Sequence, residues 1–195
     1  MRPHMVIIME NTLSAMALRM LLMDIVGDNI DVVCYTSFEE FKSAESGMVP
    51  HFFVSADVVF RNSTFFRDIA RRTIVITEGD APTFTQSGFH TIDAKASEQN
   101  IARQILNIHS AGHRGGHPHQ VAITESQTVL SQREQEVLAL LVKGYINKEV
   151  ADKLNISLAT VIFHRNNICD KLQTRSIGKL TIHAVLSGLI DINDI

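Results

Sequence analysis

Between residues 157 and 172 the sequence predicts a helix with one apolar face and one polar, basic face. Val161, Ile168 and Leu172 recur at helical spacing, so we expect them to face a core. Thr160, His164, Arg165 and Lys171 are then expected to point outward. Exposed hydroxyl, imidazole and cationic groups suit contacts with phosphate oxygens, so this helix is a candidate anion-binding surface.

A second group of reactive side chains consists of His109, His113, His117 and His119. His109 and His113 are spaced to share a helix face, which makes a metal clip conceivable. No cysteine or acid joins them, and Gly115-Gly116 prevents a preformed site, so we expect solvent-facing histidines and no cofactor. A weak pH-dependent contact of His117 to His119 with the rest of the protein stays open.

The two cysteines, Cys34 and Cys169, fall in different predicted domains, each within an apolar element. Two cysteines so placed favour reduced packing residues over a disulfide or a metal site.

Three further helices accompany the helix that begins after Ser157. Ser131 and Glu134 form a capping box before a helix that stops at Gly144. A short helix is predicted from about Asn147 to Leu154, and a last one from about Ser176 to Ser187. Two helices joined by a turn of about three residues have helix-turn-helix geometry, in which the second helix is sized for a major groove.

The segment from Leu130 to Leu189 resembles the LuxR/NarL-type helix-turn-helix of bacterial transcription factors. Its matches lie in register without a gap, which makes them more specific than a lone short motif. They are Leu130-Ser131, Arg133-Glu134, Glu136-Val137-Leu138, Gly144, Asn147-Lys148-Glu149, Ala151, Leu154, Ile156-Ser157, Thr160-Val161, His164, Asn167-Ile168, Lys171-Leu172 and Leu180.

The resemblance implies that the third helix lies in the major groove of double-stranded DNA and that Ile162, Phe163 and Asn166 are placed to touch bases. Ile162 stands where the family often has lysine, and an aliphatic side chain packs on a thymine methyl group, so we expect A·T-leaning half-sites. Asn166 carries the groups for a bidentate pair with adenine. Phe163 serves either the DNA or the core.

Phosphate contacts set the register on DNA without carrying sequence information. The predicted contacts are Asn147, Lys148, Thr160, Arg165, Lys171 and Arg175, while His164 contacts a phosphate or only packs. One such helix gives little specificity, so we expect a homodimer on two half-sites, formed through the last helix or a face of the N-terminal domain.

Strands and helices alternate along the first 108 residues. The predicted strands are Met5 to Met9, Asp31 to Tyr35, Phe52 to Val54 with an extension to Phe60 left open, Thr73 to Thr77, and Phe89 to Asp93. The predicted helices are Leu13 to Met23 (with Met16, Leu18, Leu21 and Leu22 as buried candidates), Ser37 to Ala44, Phe65 to Arg71, Ala81 to Gln86, and Ser97 to Ile108. This alternation predicts a doubly wound parallel sheet.

Five such units before a LuxR-type module resemble the receiver domain of a response regulator, a flavodoxin-like α/β fold with a five-stranded parallel sheet. The family's functional positions fall on Glu10 and Asn11 for the acidic pair, on Ala56 (or Ser55 in a shifted register) for the phosphoacceptor aspartate, on Thr77 and on Lys95. Lys95 either retains an anion site, pairs with Glu10 or lies near solvent.

Phosphoryl transfer is not supported by these residues. Octahedral Mg²⁺ requires carboxylates, and transfer requires an acceptor oxygen, but one acid remains and Ala56 occupies the acceptor position. Asp57 is the next residue in the chain, but a shift of one residue along a strand turns the side chain to the opposite face of the sheet. The resemblance therefore implies a pseudo-receiver, used for dimerisation or sensing or as a spacer.

The composition permits two small domains, since the 195 residues are 45% hydrophobic. Residues 1–109 hold nine basic and thirteen acidic residues, a net charge of −4, and residues 128–195 hold eight and seven, a net charge of +1. The DNA prediction thus depends on the motif rather than on bulk charge. No apolar run approaches the roughly 18 residues of a membrane span and no signal-peptide pattern opens the chain, so we expect a cytoplasmic protein without membrane contact.

We expect a receiver-like domain at 1–109, a flexible linker at 110–127, and an all-α four-helix LuxR-type domain at 128–195. The expected function is sequence-specific, DNA-binding transcription regulation without aspartyl phosphorylation, with a small ligand or partner protein on the receiver-like domain left open. The alternatives are a conventional response regulator phosphorylated at Asp57 and an interaction module that no longer binds DNA. An enzyme is not expected, because the chain lacks a Gly-rich phosphate loop, a His-Glu-x-x-His motif and a Ser elbow.

Overall fold

A computed structural model of the chain describes residues 4–27, 30–44, 49–79, 81–113 and 130–195. The chain divides into two compact units, one ending at His119 and the other beginning at Gln120. In the described residues the first unit is a parallel sheet with helices and the second is helical.

A five-stranded parallel sheet of order β2-β1-β3-β4-β5 forms the N-terminal unit. Its strands are β1 (His4–Ile8), β2 (Asp31–Tyr35), β3 (Phe52–Ser55), β4 (Thr73–Thr77) and β5 (His90–Asp93). Parallel neighbours need crossover connections, which are supplied by α1 (Thr12–Val26), α2 (Phe38–Ala44), α3 (Ala56–Arg61) with α4 (Ser63–Asp68), and α5 (Pro82–Gln86). A last helix, α6 (Glu98–His113), follows β5. The predicted flavodoxin-like fold is confirmed.

Both faces of this sheet are covered, which explains why β1 is an unbroken apolar run. Side chains of α1 and α6 form one core with the first face, where Leu22 and Ile105 join Ile7 and Phe53. Successive strand residues point to opposite faces, and Phe52 accordingly lies in an aromatic cluster with Phe38, Phe41, Phe65 and Phe66.

The chain becomes helical immediately after β3, so the extension of this strand to Phe60 is wrong. Val58 and Val59 are buried from α3 instead, and a short apolar run does not distinguish a strand from a buried helix by periodicity. The helix predicted from Phe65 to Arg71 begins earlier, at Ser63, and ends at Asp68, before a 3₁₀ turn over Ala70–Arg72.

Two predictions of buried residues in this unit are wrong. Met16 is 56% exposed, whereas Leu18 and Leu22 are buried, because α1 is apolar on most sides and its spacing does not select the inward face. Cys34 is exposed on β2, which is an edge strand. Cys34 and Cys169 are both free.

The C-terminal unit contains α7 (Gln132–Val142), α8 (Asn147–Leu154), α9 (Leu158–Lys171) and α10 (Ile177–Leu186). The predicted capping box is confirmed, because Ser131 N–H donates to Glu134 Oε2 over 2.7 Å and Glu134 N–H donates to Ser131 Oγ over 3.3 Å. The apolar stripes of the four helices meet in one core, whose most buried members include Val137, Leu138, Val150, Val161, Ile168, Leu180 and Ala184.

The predicted linker, residues 110–127, begins inside α6, which continues to His113. Positions 114–127 lie outside the described residues, as do the side chains of His109 and His113. The predictions for these histidines and for His117 and His119 therefore fall outside the described structure. Within the described ranges, no group of three or more His, Cys, Asp or Glu residues has a metal-binding arrangement, and no helix there has the length and apolar content of a membrane span.

Candidate nucleic-acid interface

Helices α8 and α9 are joined by the three-residue turn Asn155-Ile156-Ser157. Asn155 ends α8 in the left-handed conformation with φ at 51°, which asparagine tolerates better than most side chains. Ser157 then caps α9, its Oγ accepting the Thr160 N–H over 3.0 Å. Local hydrogen bonds thus fix the turn at both ends, and α9 begins directly after it.

Helix α9 has a buried face and a free face. Val161 and Ile168 are fully buried against the rest of the unit. Ile162 is 44% exposed and Phe163 is 60% exposed. Phe163, for which the sequence left a core role open, is therefore a surface residue.

Arg165 and Asn166 are also exposed, and Arg165 links the two helices of the motif. Its Nη1 donates a hydrogen bond of 3.2 Å to Asn147 Oδ1, at the first residue of α8. Two predicted phosphate contacts are thereby placed side by side. His164 is half-buried with its ring 5.8 Å from that of Phe163.

Lys171 is placed differently from the other predicted phosphate contacts. Its Nζ lies 2.6 Å from Glu134 Oε2, whose side chain is only 4% exposed. Burial alone raises the pKa of Glu134, but the Lys171 ammonium and hydrogen bonds from Ser131 act together to leave the pKa below its ordinary value. A contact of Lys171 with DNA would require this ion pair to open.

Lys153 lies over the Tyr145 ring, 4.5 Å from its centre. The other cations of this unit divide into two groups. Arg133 pairs with Glu136, and Lys143 pairs with Asp194. In the described part of the chain, no ion pair is formed by Lys148, Arg165, Arg175 or Lys179. The second group can offer its charge to an external anion, and it contains three of the predicted phosphate contacts.

Arg133 has a structural role that its place in the motif did not reveal. Its Nη2 donates to the Leu154 carbonyl over 2.7 Å while its Nη1 contacts Glu136 over 2.6 Å. A cation at a helix C-terminus satisfies free carbonyls and the helix dipole. Arg133 therefore holds the end of α8 against α7.

The positions to which the receiver resemblance assigns functional residues lie where parallel strands end, on one edge of the sheet. Glu10 follows β1 and lies 3.7 Å from Arg61, while Asn11 caps α1 through its Oδ1. Ala56 is the first residue of α3. Thr77 Oγ1 donates to the Gly79 carbonyl over 2.9 Å.

The Lys95 ammonium lies 3.4 Å from Glu78 rather than beside Glu10. Asp93, which the sequence did not single out, organises this end of β5, because its Oδ1 accepts the Gly79 N–H over 2.7 Å and the Lys95 N–H over 2.9 Å. Asp57 is exposed in the first turn of α3. Ser55 Oγ is buried without a hydrogen-bond partner among the described residues.

Residues 128–184 match the family described as bacterial regulatory proteins, luxR family. The C-terminal unit is therefore a LuxR-family domain, which confirms the resemblance found in the sequence.

Similar proteins include the oxygen regulatory protein NreC of Staphylococcus haemolyticus, 39% identical over 75 residues, which are 38% of this chain and 35% of NreC. NreC of Staphylococcus carnosus is 44% identical over 63 residues, which are 32% of this chain and 29% of that protein. The matched part thus spans about a third of the length of these relatives.

Among solved structures, RcsB from Salmonella enterica serovar Typhimurium bound to the promoter rprA has a TM-score of 0.67 at 16% identity, over 96% of this chain and 100% of RcsB. An RcsB–DNA complex has a TM-score of 0.62 at 14% identity, over 95% and 99%. These likenesses establish the fold, a receiver-like unit followed by a LuxR-type domain.

Proposed function

We propose that this chain, a LuxR-family domain joined to a receiver-like fold, is a sequence-specific regulator of transcription that binds double-stranded DNA through α9. Such a regulator acts in the cytoplasm, where bacterial DNA lies. The observation that carries the proposal is the free face of α9, on which Ile162, Phe163, Arg165 and Asn166 are all exposed in one helix-turn-helix.

The exposed side chains divide by chemistry into base readers and backbone contacts. Ile162 packs on thymine methyl groups and Asn166 forms a bidentate pair with adenine, which favours A·T-leaning half-sites. Phe163 adds apolar contact beside them. The backbone contacts are Asn147, Lys148, Thr160, Arg165 and Arg175, while Lys171 is held in its ion pair with Glu134 and His164 is half-buried beside Phe163.

The proposed regulator binds as a homodimer, because two half-sites supply the specificity that one helix lacks. RcsB, which shares this fold, has been solved as two dimers bound to two parallel DNAs. Two copies of α9, each carrying Arg165 and Asn166, would then read two related half-sites.

The receiver-like unit of the proposed regulator works without aspartyl phosphorylation. Ala56 supplies no acceptor oxygen, and Glu10 is the single carboxylate at the position of the acidic pair, with Arg61 as its partner. Lys95 is engaged by Glu78. Mg²⁺-dependent transfer lacks its carboxylates here, which leaves dimerisation or the sensing of a ligand as the use of this unit.

Binding of fluorescent duplexes by the full chain across a salt series tests the proposal. Each phosphate contact releases counterions, so the affinity should fall steeply as salt rises. Alanine at Arg165 should flatten this slope, whereas Lys143→Ala, which removes a cation paired with Asp194, should leave it nearly unchanged. Weak binding that ignores salt would show that the unit is an interaction module and not a DNA reader.

A further inference from the structure

Positive charge is concentrated in one short stretch of the N-terminal unit, between residues 61 and 72. Four of the nine basic residues of positions 1–109 lie in it, with Asp68 as its single acidic residue. Positions 1–109 as a whole have a net charge of −4. A cluster of cations within an otherwise acidic unit indicates a surface that attracts an external anion.

An open cavity of about 540 Å³ adjoins this stretch. Its wall includes three arginines, one acid and smaller residues: Arg67, Asp68, Ile69, Arg71, Arg72 and Gly88. The wall is open at Gly88, where an added Cβ would meet no other atom within 4 Å. The volume gives room for about eighteen water-sized groups, which is in the range of sites for small organic molecules.

The cavity lies at the edge of the sheet where the strands begin. Arg72 directly precedes β4, and Gly88 comes two residues before β5. The positions that the receiver resemblance assigns to phosphoryl transfer follow the carboxyl ends of the strands. In a parallel sheet those ends lie at the opposite edge, so the cavity is a separate site.

The arginines of the cavity have charge to offer to a ligand. Arg71 and Arg72 are exposed and, within the described ranges, form no salt bridge. Asp68 pairs with none of the three arginines there. Arg72 Nη1 donates to the Val49 carbonyl over 3.4 Å, which leaves most of the N–H groups of its guanidinium available.

The charge of the cavity matches a phosphate better than a carboxylate. Three arginines and one aspartate give its wall a net charge of +2. A phosphate monoester carries about −1.5 to −2 at neutral pH, whereas a carboxylate carries a single negative charge. A guanidinium also binds two phosphate oxygens at once. Arg71 and Arg72 together therefore suit a phosphate group.

A phosphate group alone would occupy only a small part of this volume. The half-buried Ile69 adds an apolar surface, and the Arg67 guanidinium is planar, so it can stack on a flat ring. The ligand should accordingly carry a flat, partly apolar group in addition to its phosphate. A nucleoside phosphate joins these two parts through its sugar.

We propose that the cavity binds a nucleoside phosphate, whose phosphate contacts Arg71 and Arg72 and whose base lies against Arg67 and Ile69. The site deepens the ligand-sensing role proposed for the receiver-like unit, and it rests on that role. It requires neither Mg²⁺ nor an acceptor aspartate, because the ligand binds reversibly and no group is transferred.

Isothermal titration calorimetry of the full chain at low salt tests the site, with adenosine and guanosine monophosphates as probes. At least one of the two should bind. Its nucleoside, ribose 5-phosphate and inorganic phosphate should each bind at least about tenfold more weakly, because each lacks either the charged group or the base.

Replacement of single charges separates the site from a general attraction to anions. Arg71→Gln should raise the Kd of the bound nucleotide about tenfold or more, because it removes charge-assisted hydrogen bonds. Asp68→Asn should lower that Kd about threefold, because it removes the one like charge near the phosphate. Arg103→Gln, the same change at an exposed position of α6, should have little effect. Circular dichroism should show unchanged folding in all three variants, since each position is exposed.

Three results would overturn the site: no binding of either nucleotide by the wild-type chain, inorganic phosphate that binds as tightly as the nucleotides, or an unchanged Kd in Arg71→Gln. Each variant is also tested for salt-dependent binding to duplex DNA. If Arg71→Gln flattens the salt slope while neither nucleotide binds, the arginines contact the DNA backbone instead. Retained DNA binding with an unchanged slope, together with any of the three results, would reject the site but not the proposed function.

Discussion

Lys171 Nζ lies 2.6 Å from Glu134 Oε2, so the last turn of α9 is bound to the first turn of α7. The same carboxylate accepts the Ser131 N–H that caps α7. The buried Glu134 carboxylate thus caps the start of α7 and holds the end of α9, the helix that presents Arg165 and Asn166.

The two partners of this ion pair should differ in their sensitivity to replacement. Lys171→Met leaves a carboxylate that is almost fully buried without its counter-charge, which should cost about 3 kcal/mol of unfolding free energy. Glu134→Gln leaves an ammonium on a side chain that is 38% exposed, so water solvates it and the cost should be about 1 kcal/mol. Hydrogen exchange of α9 amides measures both. Lys179→Met, at an exposed position of α10, is the control, and equal losses at Lys171 and Glu134 would contradict the asymmetry.

Acid should weaken the C-terminal unit through the same carboxylate. The pKa of Glu134 in the folded chain lies below its ordinary value of 4.5, so ionised Glu134 favours folding above that value. This stabilisation should diminish as pH falls through 4.5 and vanish below the lowered folded-state pKa. Urea unfolding at stepwise lower pH should show wild type losing its advantage over Glu134→Gln, and a constant difference would argue against the linkage.

Replacing Arg165 and replacing Asn166 should impair DNA binding in different ways. Arg165→Ala should weaken binding to all duplexes alike and reduce the salt slope by about 1, because it removes a phosphate contact. Asn166→Ala should cost about 1–3 kcal/mol on the preferred duplex and little on random DNA. Competition binding with both duplexes separates the two effects, and equal losses on both for Asn166→Ala would show that it reads no base.

Phosphoryl mimicry should have no effect on the receiver-like unit. Beryllofluoride with Mg²⁺ should leave the N-terminal spectrum and the affinity for DNA unchanged, because Ala56 provides no acceptor oxygen. Asp57→Ala, which changes an exposed residue of α3, should likewise leave the N-terminal spectrum and the affinity for DNA unchanged. A spectral change with beryllofluoride that disappears in Asp57→Ala would establish the alternative, a conventional phosphorylated regulator.

The helices of the C-terminal unit were predictable because local chemistry fixes their ends. Ser131 with Glu134 and Ser157 with Thr160 cap the starts of α7 and α9. The parallel sheet was likewise predictable from the alternation of strands and helices, whereas its flavodoxin-like arrangement was implied only by the receiver resemblance. The pairing of Lys171 with Glu134 was not predictable, because 37 residues separate them and no spacing rule connects positions so distant.

In the N-terminal unit, predictions from the sequence were wrong where apolar residues were so abundant that their spacing did not show the type of element or its buried side. Val58 and Val59 suited a strand as well as a helix, so the boundary after Ser55 was not defined. Met16 lies in a helix with apolar residues on most sides, and its exposure became known only when the position of the sheet was known. The surplus of apolar residues becomes informative once a structure shows which side of the helix is covered.

Selection of bound duplexes from a random pool tests the central proposal, that α9 reads DNA, most directly. The full chain should enrich duplexes that carry two related half-sites, with A·T pairs where Ile162 and Asn166 reach the bases. The same selection with Asn166→Ala should yield a weaker preference at one position of each half-site. A pool that stays random after repeated rounds with the wild-type chain would contradict the account.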